Sequence, residues 1–225
     1  YNNLCSLYIS LRRLKEAKNI VKKAIEINPS FPDNFINLGN IFFEETDFNN
    51  ARIYYEKVLS LDPKNPIALS NLAKVYRDTC NYEKAFWYSK KTLEINRDCY
   101  QTYDTLGNLY YDTLNFEAAK NAYIRSIELN PEFSQAYHNL GLLQLYIGDF
   151  KNGWKNSDYK WDNLSFFRKK PNFSIPKWNL EDKCHIFIWK EEGIGEQILY
   201  SRLFNDLRDK DLKIDALVDK KLKPL

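Results

Sequence analysis

Residues 32–65 read PDNFINLGNIFFEETDFNNARIYYEKVLSLDPKN, and residues 66–99 read PIALSNLAKVYRDTCNYEKAFWYSKKTLEINRDC. Laid one over the other, Leu38 falls on Leu72, Gly39 on Ala73 and Ala51 on Ala85. The same step of 34 residues reaches outward in both directions. Leucine recurs at Leu4, Leu38, Leu72, Leu106 and Leu140. A small residue follows at Cys5, Gly39, Ala73, Gly107 and Gly141, and a ring or leucine precedes at Tyr1, Phe35, Leu69, Tyr103 and Tyr137. Ala17, Ala51, Ala85 and Ala119 form a further column, continued by Gly153, and Pro29, Pro63, Arg97 and Pro131 close the units. Within a unit, the apolar positions fall at i, i+3, i+4 and i+7, which is one face of a helix. Two such helices per unit cannot bury their apolar faces alone, so the units must stack. The small residues are expected to let helices approach closely. Pro ends the second helix because it lacks an N–H and restrains its predecessor. Arg97 therefore predicts a less sharp end there.

These columns resemble the tetratricopeptide repeat (TPR) across about residues 1–158. The resemblance implies an all-α, right-handed superhelix of about four and a half repeats. Residues 32–65, 66–99 and 100–133 are full repeats; 1–31 lack their first residues, and 134–158 begin a fifth. It also implies that first helices line a concave groove. On their free stripe one column reads Asn3, Asn37, Asn71, Thr105, Asn139; the next reads Ser6, Asn40, Lys74, Asn108, Leu142. An acidic row follows at Glu44, Asp78 and Asp112. An asparagine amide both donates and accepts, so a ladder of them can pair with an extended peptide backbone without reading side chains. The layout resembles the asparagine ladder of the O-linked N-acetylglucosamine transferases. The expected groove residues are Asn3, Asn37, Asn40, Asn71, Lys74, Asn108 and Asn139. With 24 asparagines in 225 residues, a merely solvated polar groove is the alternative. The carboxylate clamp of some TPR proteins needs basic neighbours, and Ile36, Ser70 and Asp104 stand there instead.

Composition narrows the rest. Hydrophobic residues make up 44% and charged residues 28%, as in globular proteins. A net charge of +3 does not call for nucleic acid, and no apolar run approaches the roughly 18 residues of a membrane helix. Tyr54, Tyr55, Phe86, Trp87 and Tyr88, on second helices, read as core between repeats rather than a base-stacking platform. Cys5, Cys80, Cys99 and Cys184 form no CxxC pair, so free thiols in a reducing, cytoplasmic setting are expected, with no metal and no cofactor. The chain contains no methionine and Tyr1 falls inside a repeat, which suggests a fragment.

Beyond the repeats the pattern changes. Residues 159–183 are rich in rings and prolines (Tyr159, Trp161, Phe166, Phe167, Pro171, Phe173, Pro176, Trp178) and read as an ordered connector. Residues 184–225 show a strand run at His185–Trp189, a loop at Glu191-Glu192-Gly193-Ile194-Gly195-Glu196, a helical stretch from Gln197 to Leu207, and a second strand at Lys213–Val218. That order predicts a parallel, right-handed, Rossmann-like βαβ unit. Gly193 and Gly195 would place backbone N–H groups at a helix N-terminus, which favours an anion. Connector and loop together resemble bacterial TPR-containing GT-B glycosyltransferases. The resemblance implies an inactive N-terminal portion of an enzyme whose parent binds a nucleotide-sugar. It also implies Glu196 as a base on the acceptor hydroxyl, with helix capping as that residue's other reading. Three functions stay open: a peptide- or protein-docking scaffold serving an attached transferase, the transferase itself, and a plain interaction scaffold.

Overall fold

The computed structural model describes residues 1–157 and 159, together with the strands Ile186–Trp189 and Ile214–Leu217. Contacts divide the chain into two units, Tyr1–Lys170 and Pro171–Leu225. Within the first, the described residues form five antiparallel helix pairs. These are α1 (Asn2–Ser10) with α2 (Leu14–Ile27), α3 (Pro32–Glu44) with α4 (Phe48–Leu61), and α5 (Pro66–Asp78) with α6 (Tyr82–Ile95). The series continues with α7 (Tyr100–Asp112) and α8 (Phe116–Leu129), then α9 (Ser134–Tyr146) and α10 (Phe150–Ser157). Each pair packs on the next. Successive first helices also touch one another, α1 on α3, α3 on α5, α5 on α7 and α7 on α9. First helices therefore take the inner side of the stack.

Local chemistry fixes the helix ends. Asp47, Asn65, Asn81 and Asn115 each accept a backbone N–H three residues on, capping α4, α5, α6 and α8. Pro32 and Pro66 start α3 and α5, where a missing N–H does no harm. First helices end in a left-handed residue. Arg12, Thr46, Cys80 and Leu114 have φ of 56, 60, 58 and 61°, and Gly148 has 88°. Behind it the Asp47 N–H donates to the Phe42 carbonyl at 2.9 Å, and Asn81, Asn115 and Asp149 repeat that bond to Tyr76, Tyr110 and Gln144. This is the Schellman closure.

Second helices end alike, Arg97 notwithstanding. The backbone N–H groups of Ser30, Lys64, Asp98 and Glu132 donate to the side chains of Asn28, Asp62, Asn96 and Asn130 at 3.1–3.3 Å. Asn96 has the same extended backbone as its three counterparts. The Asn/Asp side chain, not the proline, organises this turn, which corrects the expectation of a softer end at Arg97.

The small-residue column also has a more specific meaning than close helix approach. A Cβ on Gly39 would lie 2.3 Å from Tyr55 Cε1, and one on Gly107 would lie 2.4 Å from the Tyr123 ring. Each glycine makes room for a buried tyrosine of the following helix. In the third repeat Ala73 stands in the glycine's place and Ser89 in the tyrosine's, both fully buried. Among the described residues, Ser89 Oγ is the buried side-chain polar atom with no hydrogen-bond partner. At Gly141 it is backbone that approaches closely, the Ser157 nitrogen coming to 2.3 Å of an added Cβ, and at Gly153 the Leu145 nitrogen comes to 2.8 Å.

The rest of the core follows the columns. Ala17, Ala51, Ala85, Ala119 and Leu72 are inaccessible to solvent; Leu38 and Leu106 are half-buried, and Leu4 is exposed. Tyr54, Phe86 and Tyr88 pack against the core, whereas Trp87 is 54% exposed. In the second unit, Ile186–Trp189 (β1) and Ile214–Leu217 (β2) pair in parallel, Ile186 opposite Ile214 and Trp189 opposite Leu217. The residues between them, with Gly193, Gly195, Glu196 and Cys184, lie outside the described residues, as does nearly all of the connector.

Candidate peptide-binding groove

The asparagine column lies on the inner helices, and its amides bond across the gaps between them. Asn37 donates to Asn2 Oδ1 at 3.3 Å and accepts from Ser6 at 3.4 Å, tying α3 to α1. Asn71 donates to Asn40 Oδ1 at 3.0 Å, tying α5 to α3. Asn139 donates to Asp104 Oδ1 at 2.8 Å, tying α9 to α7. Each reaches back to the position one before, or three after, its own equivalent in the preceding repeat. Thr105 is the exception. Its hydroxyl turns down to the Gln101 carbonyl at 2.9 Å, and α5 meets α7 lower, through Thr102 and Ser70 at 3.3 Å.

The second column stands on the core tyrosines. Tyr55 donates to Asn40 Oδ1 at 2.8 Å, and Tyr123 to Asn108 Oδ1 at 2.8 Å. Burial pushes both phenols far above the ordinary tyrosine range, so each stays a donor. Asn108 also donates to Asp104 Oδ2 at 3.4 Å. In the third repeat Lys74 takes the asparagine's place, over the short Ser89. Lys74 keeps some exposed surface, yet burial pulls its ammonium below the ordinary lysine value, with Asp104 pulling the other way. Burial pushes the Asp104 carboxyl up, opposed by the Asn139 hydrogen bond and the Lys74 charge.

The seven sequence-selected groove residues thus differ in what they still offer. Asn37 is 4% exposed and both ends of its amide are used. Asn3 is exposed at the end of the row, and Asn139 bonds Asp104 and Gln135. Asn40, Asn71, Lys74 and Asn108 are half-buried. Among the described residues no bond engages the Asn40 Nδ2, the Asn71 Oδ1 or the Lys74 ammonium. The acidic row is matched by arginines: Arg12 lies 3.4 Å from Glu44, while Arg77 bonds Asp78 at 2.8 Å and lies 4.0 Å from Asp112. Sequence reading passed over Asp104 as a site residue and missed both arginines. Asp104 sits beside the asparagine column, where an acid among neutral neighbours was the available signal.

Comparison with known proteins agrees with the repeat assignment. A family profile described as TPR repeat matches residues 39–78, and one described as tetratricopeptide repeat matches residues 1–31 and 100–133. No curated protein matches the sequence. The chain is similar in structure to PilF of Pseudomonas aeruginosa, with a TM-score of 0.58 and 22% identity over 71% of this chain and 72% of that one. It is similar also to a thermophilic TPR protein of Thermus thermophilus, with a TM-score of 0.65 and 16% identity over 72% and 88%. MamA gives a TM-score of 0.51 and 20% identity over 69% and 91%. At these identities the likeness shows the fold alone. Among the described residues no helix is long and apolar enough to cross a membrane.

Proposed function

We propose that this scaffold of tetratricopeptide repeats binds an extended peptide segment of a partner protein along the inner helices α3, α5 and α7. The observation that carries the reading is the set of unmet groups in mid-groove. Asn40 Nδ2 can donate and Asn71 Oδ1 can accept, while the opposite ends of the same amides are fixed by Tyr55 and by each other. An amide held at one end is preorganised, so less rotamer freedom is lost when its other end meets a ligand. A peptide backbone offers the matching acceptor and donor at each residue.

The test is selection of short random peptides on the purified chain, then NMR of the side-chain amides with a selected peptide added. The Asn40, Asn71 and Asn108 signals are expected to shift, while those of Asn49 and Asn121 on α4 and α8 stay. Shifts confined to second helices, or no selected peptide, would overturn the reading.

A second reading is favoured by the parallel pairing of β1 with β2, the pairing that a βαβ unit requires. Under it residues 184–225 open a GT-B half-domain, Gly193 and Gly195 form its anion loop, and the groove docks acceptors for sugar transfer from a nucleotide-sugar. Glu196 would then remove the acceptor proton, a sugar hydroxyl being a poor nucleophile until deprotonated. The longest native polypeptide carrying these residues should then transfer sugar, and Glu196→Gln should abolish turnover while the protein stays folded. Equal turnover in that variant would reduce Glu196 to a cap.

A further inference from the structure

The ladder is interrupted once along its length, and the interruption coincides with a change of chemistry. At α1–α3 and α3–α5, the column of Asn37 and Asn71 reaches back to Ser6 and Asn40, three positions beyond its own equivalent. At α5–α7 the same geometry would bring residue 105 to Lys74. Thr105 is 1% exposed, is shorter by an amide, and spends its hydroxyl on the Gln101 carbonyl. Below Lys74, where Tyr55 and Tyr123 support their asparagines, Ser89 is too short to reach up. Lys74 therefore has neither of the two partners that its position has elsewhere.

The groups around Lys74 do not replace them. Asp104 is the acid that acts most strongly on Lys74, but its oxygens take the amides of Asn139 and Asn108, and no ion pair joins it to Lys74. Asp78 is bonded by Arg77, whose own charge faces Lys74 from the same helix. Cys99 also favours the Lys74 charge, but its sulfur is a weak acceptor. Three ammonium donors are thus left without a protein acceptor among the described residues, beside the unused donor of Asn40. Surplus donors around a half-buried cation call for an anionic acceptor.

We infer that the gap opposite Thr105 is a specificity subsite, in which Lys74 takes the carboxylate of an Asp or Glu side chain on the bound peptide. The inference rests on the groove reading above and names the feature of the partner that the backbone ladder cannot read. A side chain is meant rather than a chain terminus, because α5 is the third of the five inner helices. A peptide lying along the ladder passes Lys74 instead of ending there. Charge-assisted hydrogen bonds are the stronger ones, and a half-desolvated cation gains most from one.

The experiment uses C-terminally amidated random peptides, selected in parallel on the wild type, Lys74→Met and Thr105→Asn, with circular dichroism to confirm that each is folded. The wild type should enrich Asp or Glu at one fixed position. Lys74→Met should lose that preference and bind the acidic peptide about 10- to 100-fold more weakly, the span expected for a hydrogen bond to a charged group. It should bind the Gln-for-Glu peptide as the wild type does. Thr105→Asn keeps the lysine but supplies an internal acceptor, and should weaken acidic peptides selectively. Bound acidic peptide should also raise the pH at which the Lys74 ammonium titrates by NMR. Enriched peptides without an acidic position, or an acidic preference that survives Lys74→Met, would overturn the subsite and leave the groove standing. No enrichment on any of the three proteins would overturn both.

Discussion

A double-mutant cycle on Gly39 and Tyr55 tests the claim that glycine in the small column serves a tyrosine ring. Gly39→Ala places a methyl 2.3 Å from Tyr55 Cε1, 2.7 Å from Cδ1 and 2.8 Å from Cζ. Carbon pairs settle at about 3.5–4.0 Å, so the ring must retreat by roughly 1 Å. It has little freedom to do so: Tyr55 is 1% exposed and its hydroxyl is bonded to Asn40 at 2.8 Å. Overpacking of this kind costs about 1–3 kcal/mol. Alanine returns about 1 kcal/mol through its better helix propensity, so the net loss is roughly 0–2 kcal/mol. Tyr55→Ser empties the site and should cost about 3–5 kcal/mol, as large-to-small aromatic changes do. In the double variant the clash has no ring to act on, so the pair reproduces the Ala73–Ser89 arrangement of the third repeat. The double variant should therefore be more stable than the sum of singles predicts, by about 1–3 kcal/mol. Urea unfolding followed by circular dichroism, with slopes compared across the four proteins, measures this directly. Additivity within about 0.5 kcal/mol would refute the pairing, since contacting residues should couple.

Thr46 is a β-branched residue at φ 60°, a conformation that costs a non-glycine residue about 1–3 kcal/mol. Thr46→Gly should raise stability by about 0.5–2 kcal/mol, after roughly 0.5–1 kcal/mol for glycine's greater unfolded freedom. Gly148→Ala is the converse: nothing lies within 4 Å of its added Cβ, so an unfolding loss of about 1–2 kcal/mol would report backbone strain alone. For Asp104, whose carboxyl burial pushes upward, the folded state holds the proton more tightly than the unfolded chain. Its penalty is full above the folded value and vanishes below the unfolded one, about 3.9. Wild-type stability should therefore rise, through this group, as pH falls across that window, and Asp104→Asn should remove that slope. Parallel stability–pH curves for the two proteins would refute the assignment.

The register was legible because stacking imposes the same contacts at every step, so the same residue types return at 34-residue intervals. What stayed hidden depends on relations across repeats or on backbone shape. The left-handed turn residues Arg12, Thr46, Cys80 and Leu114 share no side-chain property, since the closing hydrogen bonds use only backbone. The Gly39–Tyr55 and Gly107–Tyr123 pairs, with Ala73–Ser89 as the compensated case, were readable as a size exchange at a fixed separation. Reading one column at a time conceals such an exchange. Arg97 misled for the opposite reason: the proline column is conspicuous, while the asparagine or aspartate before it is what folds the turn.

The ladder shows the same limit in the site itself. A row of asparagines reads from sequence as uniform, but a side-chain amide becomes available to a ligand only where its neighbours leave an end unpaired. Asn37 meets partners at both ends of its amide, both on α1, and is consumed in holding α1 to α3. Asn71 uses its donor on α3 and keeps its acceptor, and Asn40 keeps its donor because Tyr55 and Asn71 share its oxygen. Removing all the asparagines at once would therefore strip inter-helix bonds together with the contacts proposed for a peptide, and a loss of binding would not tell one from the other. Groups that carry no inter-helix bond separate the two. Among the described residues Lys74 holds no helix to another through a hydrogen bond or ion pair, so a change there reports on the proposed groove contact and leaves the spacing of the inner helices to the amides on either side of it.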